Sequence, residues 1–162
     1  MAKLTPAFRA AGTAVFTANN VAASTNLTPT KSGSTVNGDL MVLVTESRGI
    51  GGSCATPNNW TPVTGFPKTS ATASGGKIYV FVRIATGGAD DAPTAAWTSL
   101  TTGTSGDSTG ARILSFSNAK AAFDGTPPAA QDQASTTTIT IPAHTTTLDN
   151  TLVIGVAMRV ND

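Results

Sequence analysis

Apolar residues in this chain come in short runs of five to nine, parted by clusters of Gly, Pro, Asn, Ser and Asp. Runs of that length between turn-forming residues predict strands. Leu40–Glu46 (LMVLVTE) is apolar on both faces, which predicts a central strand covered on both sides, and Asn37-Gly38-Asp39 before it predicts a tight turn. Lys77–Ala85 (KIYVFVRIA) alternates instead, with Ile78, Val80, Val82 and Ile84 on one face and Tyr79, Phe81 and Arg83 on the other. Ala111–Ser117 puts Leu114 and Phe116 on one face, and Thr136–Ile141 (TTTITI) points Ile139 and Ile141 inward. Phe8–Thr17, Val21–Thr28, Ala95–Thr101 and Asn150–Met158 complete the set, with Asn19-Asn20 turning the first pair. Arg48–Lys68 reads as a long loop rich in Gly and Pro, anchored by Trp60, Val63 and Phe66.

No segment has sustained helical spacing, and no repeat or domain boundary interrupts residues 1–162. The expected fold is therefore all-β: one jelly-roll-like antiparallel β-sandwich of eight to nine strands. Its expected core is Leu40, Val42, Val44, Ile78, Val80, Val82, Leu114, Phe116, Ile139, Ile141, Leu152, Ile154 and Val156. Residues 1–14 suit either an extended arm laid on a neighbour or the first strand of the sandwich. Composition strengthens the fold class: 29 of the 162 residues are Thr, a β-branched residue that favours the pleated surface.

Charge and chemistry narrow the function mainly by exclusion. Only 12% of the residues are charged, and the formal net charge of +1 produces no long-range field. The ten Lys and Arg are scattered singly, without the basic patch of a nucleic-acid binder. No run of eighteen apolar residues predicts a membrane span. Pro6 and Arg9 break the apolar character of the N-terminal stretch, unlike a signal peptide. A Ser-His-Asp triad would have to use His144, with Asp149 nearby in sequence, but no G-x-S-x-G elbow accompanies them. One His and one Cys (Cys54) cannot make a structural zinc site or an internal disulfide. Asp90, Asp91 and Asp107 fall in predicted loops, where they are either oxygen ligands for calcium or solvated turn residues. The glycines of Gly49-Ile50-Gly51-Gly52 lack the Lys and the following helix of a phosphate loop. The expectation is a protein that is not an enzyme and holds no metal or cofactor.

Aromatic residues offer the remaining chemistry. Tyr79 and Phe81, with Arg83 beside them, are either covered by the Arg48–Lys68 loop or form a subunit contact. Trp60 and Trp97, with Tyr79, are candidates for stacking on sugar rings, although tryptophans in sandwiches commonly belong to the core.

The order of elements resembles a family of small β-sandwich proteins from the structural gene clusters of tailed bacteriophages. Gly38-Asp39-Leu40-Met41-Val42-Leu43-Val44 matches its opening strand, and Pro57-Asn58-Asn59-Trp60-Thr61-Pro62-Val63 its P-x-x-W-T loop. Tyr79–Ala85, then Ala95-Ala96-Trp97-Thr98, then Ala111–Phe116 follow in the family's order. The likeness spans roughly Gly38–Met158 and departs at Asn59, where the family has Gly before Trp-Thr. It implies a virion component: a capsid decoration or cement protein, homo-oligomeric and favouring a trimer, bound to the major capsid protein or another virion protein. The alternative it implies is a tail or head-fibre module that binds host glycans. A third reading is a bacterial carbohydrate-binding module detached from its enzyme.

Overall fold

A computed structural model describes residues 5–17, 22–71, 75–102, 107–121, 143, 145–147 and 151–157. The fold is all-β. The described residues form ten strands in chain order: β1 Ala7–Ala11, β2 Val15–Phe16, β3 Thr25–Leu27, β4 Leu40–Arg48, β5 Ser53–Cys54, β6 Thr61–Pro62, β7 Lys68–Thr69, β8 Gly76–Ile84, β9 Ala95–Thr98 and β10 Thr109–Ser117. Four of these, β2, β5, β6 and β7, are only two residues long and were not foreseen as separate strands. The single non-strand element among the described residues is a 3-10 turn, Ala89–Asp91.

The larger sheet is antiparallel and has seven strands. Its core is three nine-residue strands, β10–β4–β8, with β1 and β2 sharing the outer side of β10 and β6 and β7 sharing the outer side of β8. Gly38, at φ +89, makes the turn that launches β4, a conformation that glycine adopts without a Cβ penalty. Its Asp39 carboxylate accepts the Val36 amide at 3.0 Å and an ion pair from Arg9 at 2.6 Å, tying β1 to the start of β4. β1 pairs with β10 from Ala7↔Ser117 to Ala11↔Leu114, so residues 7–11 belong to the sheet.

A second sheet of three strands, in the order β3–β9–β5, carries Trp97, Ala95, Leu27 and Cys54 into a common cluster with Met41, Leu43, Phe81 and Ile113 of the larger sheet. Of the two sequence readings of Tyr79 and Phe81, the covered one holds, with Cys54 and Trp60 of the Arg48–Lys68 segment in the covering cluster. Tyr79 and Phe81 lie on a covered face, and that face holds the deepest side chains of the molecule: Trp97, Phe81, Met41, Leu43 and Ile113 are all under 2% exposed. The expected core residues Leu40, Val42, Val80, Val82 and Phe116 do form a cluster, but on the opposite face. Val63 is buried in it and Phe66, Leu152 and Ile154 pack against it from outside the sheet.

Asn150–Met158 also departs from expectation. Residues 151–157 belong to no strand, although their burial still alternates and Leu152 and Ile154 face the sheet. Their apolar period is satisfied by side-chain packing onto a sheet face rather than by a backbone ladder. The predicted strand Thr136–Ile141, with Ile139 and Ile141, lies outside the described residues, as do His144 and Asp149.

Candidate functional site

Antiparallel partners put their side chains on the same face, so the register defines what each residue sees. On the face under the small sheet, Tyr79 stacks on Phe81 with centroids 6.1 Å apart and meets Trp97 edge-on at 5.4 Å. Trp97 donates its indole N–H to Thr45 at 2.9 Å, and the Thr45 hydroxyl donates onward to the Gly110 carbonyl at 2.8 Å. Thr35 and Ser115 share a hydroxyl hydrogen bond of 2.7 Å in the same layer. Every fully buried side-chain polar atom of the described residues has a partner. This layer is finished packing, and Phe81 and Trp97 offer no surface to a subunit or a sugar. Trp60, 5% exposed, likewise turns its ring into this cluster, and its indole N–H bonds the Asp90 carbonyl at 2.9 Å.

Arg83 belongs to a polar clasp at one end of β8. Its Nε reaches Asp91 at 3.2 Å, Nη1 donates to the Asn59 carbonyl at 2.9 Å, and Nη2 donates to Thr86 at 3.2 Å. Asp91 also accepts the amides of Thr86 and Gly87, the latter at 2.7 Å. Burial alone would raise the Asp91 pKa, but the two amides and the Arg83 guanidinium outweigh it and hold the carboxyl below its ordinary value. The Asp90 carboxylate accepts the side-chain amides of Asn58 and Asn59 at 3.2 and 2.7 Å. The clasp therefore pins the Pro57–Trp60 loop to the Thr86–Asp91 loop. Both carboxylates face hydrogen-bond donors, which is unsuited to a calcium cage. Asp107, buried, is engaged in the same structural way, accepting the Thr101 amide at 2.8 Å. Burial pushes the Cys54 thiol up to about 12, so it is an inert core residue. No group of three metal-ligating side chains forms among the described residues.

Among the described residues, the opposite face is covered over Leu40, Val42, Val80 and Val82 and open toward β1 and β2. Phe8, 58% exposed, pairs with Phe116 on β10 and touches its ring edge-on at 5.7 Å. Phe16, 70% exposed, pairs with Gly110 and lies over it, where a Cβ at Gly110 would come within 2.9 Å of the ring. Between these two rings, on the same face, stand Leu114 and Arg112, with Val44 and Glu46 beside them on β4. Arg112 is exposed and uses Nε to bond the Gly12 carbonyl at 3.0 Å. Glu46 is half-buried, its pKa raised by desolvation, and accepts no hydrogen bond among the described residues.

The aromatics singled out from sequence are thus support, and the open corner consists of residues that were not singled out. A signal did exist: Glu46 and Arg112 are charges at register positions shared with Val42, Val44, Leu114 and Phe116, the expected core face.

With that geometry in view, no family model, curated protein or solved structure matches the chain. Among the described residues no helix is long and apolar enough to cross a membrane.

Proposed function

We propose that this protein is a structural component of a tailed-bacteriophage particle, a capsid decoration protein that self-associates and adds to the head surface. It performs no catalysis. The observation that carries the reading is the division of labour between the sheet faces. Aromatic rings, hydroxyls and buried carboxylates serve internal support, and the large exposed aromatics Phe8 and Phe16 lie along one side of the sheet, against opposite ends of β10. A weakly charged body with exposed aromatic rings along one side of its sheet suits addition to a symmetric lattice. The resemblance of the strand order to phage structural proteins points the same way.

Burial of Trp60 and Trp97 counts against the glycan-binding alternative, whose remaining candidate is the half-buried Tyr79. The test is fractionation of phage particles from a host that carries the gene, with separation of heads from tails and quantification of the chain by mass spectrometry. The expected result is a fixed, high copy number in the head fraction. Confinement to tails, or absence from particles, overturns the reading.

A further inference from the structure

We propose that the open corner of the seven-stranded sheet, built from Phe8, Phe16, Leu114, Arg112 and Glu46, is a two-fold contact with a second copy of this chain. In it Arg112 of each copy meets Glu46 of the other. The proposal deepens the self-association in the functional reading and rests on that reading only for its biological use.

Three observations select this occupant. First, two large apolar rings stand exposed on this face: Phe8 and Phe16 show 58% and 70% of their surface and flank half-buried Leu114. Large rings held out on a sheet face are a contact surface rather than a folding requirement.

Second, Arg112 and Glu46 are opposite charges on this face that do not satisfy each other, and a further cation, Arg48, stands two residues beyond Glu46 on the same face. Arg112 pairs with Val44 and Glu46 with Gly110, so the two are diagonal neighbours on one face. Diagonal neighbours stand roughly 7–8 Å apart at Cα, within reach of long side chains. Arg112 nevertheless turns toward β1 and β2, where its Nε is held by the Gly12 carbonyl. Glu46 keeps its carboxylate under the Phe16 edge of the sheet, with Oε1 3.2 Å from where a Gly110 Cβ would be. Arg112 and Glu46 each remain available to a partner's opposite charge.

Third, the patch is complementary to itself. A two-fold axis passing between Arg112 and Glu46 forms both ion pairs at once, with Phe16 of each copy packing beside them. A partner of other chemistry would have to carry the same cation and anion in mirrored order. A three-fold ring would need a second, different surface, so the two-fold contact replaces the trimer expected from the family resemblance. The formal charge of +1 per chain leaves only weak net repulsion between copies. A half-buried carboxylate that gains a guanidinium partner also relieves its own desolvation.

The test is sedimentation velocity of the full chain from about 1 to 200 μM, an interval chosen to span the affinities of small interfaces. The expected species is a dimer. Arg112→Glu and Glu46→Arg each place like charges opposite and should raise the dimer Kd by about 30-fold or more, the size of an interface hot spot. The double variant Arg112→Glu/Glu46→Arg should restore dimerisation. A monomer across the whole range overturns the proposal, as does a trimer. Single reversals without effect, or a double variant that does not recover, overturn it too. Should a reversal disturb folding, Phe16→Ala removes a solvent-exposed ring, and an unchanged dimer Kd for that folded variant is equally fatal. Particle fractionation reads the functional proposal independently: a monomer still found on heads would overturn the contact and leave the role standing.

Discussion

The two faces of the seven-stranded sheet are built from the same three strands and nearly the same period-two pattern, yet they do different work. Under the small sheet, Met41 and Leu43 of β4, Phe81 of β8 and Ala111 and Ile113 of β10 join one cluster with Trp97, Leu27 and Cys54 and are sealed from water. On the other side, cover among the described residues comes from Val63, Phe66, Leu152 and Ile154, and it leaves Phe8 and Phe16 exposed. A hydrophobic position becomes deep core only where a second layer covers it. Where the layer ends, the same pattern becomes a contact surface.

Trp97→Ala is the most severe way to break this comparison. It removes the largest buried side chain and leaves the Thr45 hydroxyl without its indole donor. The expected loss is about 3–5 kcal/mol, enough to unfold a domain of ordinary stability. Urea denaturation followed by far-UV circular dichroism checks it. A loss under about 1 kcal/mol would mean that the small sheet does not seal this face.

Asp91→Asn comes next, because it strikes the clasp that anchors the loop bearing Trp60. The substitution keeps the shape but takes a charged acceptor from Arg83 and two backbone amides, at a cost of about 2 kcal/mol. The native Asp91 pKa is lowered, so its stabilisation is complete above the ordinary aspartate value of 3.8 and is lost as pH falls from there through the lowered native value. Melting curves of the wild type and the Asn variant should therefore converge in acid and separate above that value.

Much of this contrast was legible in sequence. β4 was readable as doubly covered because LMVLVTE opens with five apolar residues that occupy both faces. The alternation of KIYVFVRIA assigned each residue of β8 to its correct face. Which face lies deeper was not legible, because depth depends on β3, β5 and β9. Those strands are short and weakly patterned (TNL, SC and AAWT), and long-range pairing positions them. The clasp was hidden for the same reason: Arg83 and Asp91 are eight residues apart, but Asn59 joins them from 24 residues before Arg83.

Leu114→Ala probes the shallower face at its boundary. Leu114 is half-buried, so its truncation should cost less than the ~2 kcal/mol lower bound for a fully enclosed leucine. The same change should weaken self-association, since Leu114 lies between Phe8 and Phe16. Denaturation midpoints at low and high protein concentration separate the two effects: the deficit relative to wild type should widen as concentration rises.

Glu46→Gln has the smallest effect and bears most directly on the difference between the faces. Burial raises the Glu46 pKa above its ordinary 4.5, so the native state holds this proton more tightly than the unfolded chain does. The charged form is therefore a native-state cost, absent below pH 4.5 and fully present once pH has risen through the raised native value. Gln carries no such cost. In the monomer, at protein concentrations of about 1 μM or less, Glu46→Gln should be slightly more stable than wild type at neutral pH and indistinguishable from it at pH 4. At high concentration the sign should reverse, because wild-type Glu46 then gains Arg112 of the second copy and Gln gains only a neutral hydrogen bond. Paired thermal melts at the two concentrations and two pH values decide it. A Gln variant that is less stable at every concentration would mean that Glu46 already has a partner within its own chain, and the open corner would lose its free anion.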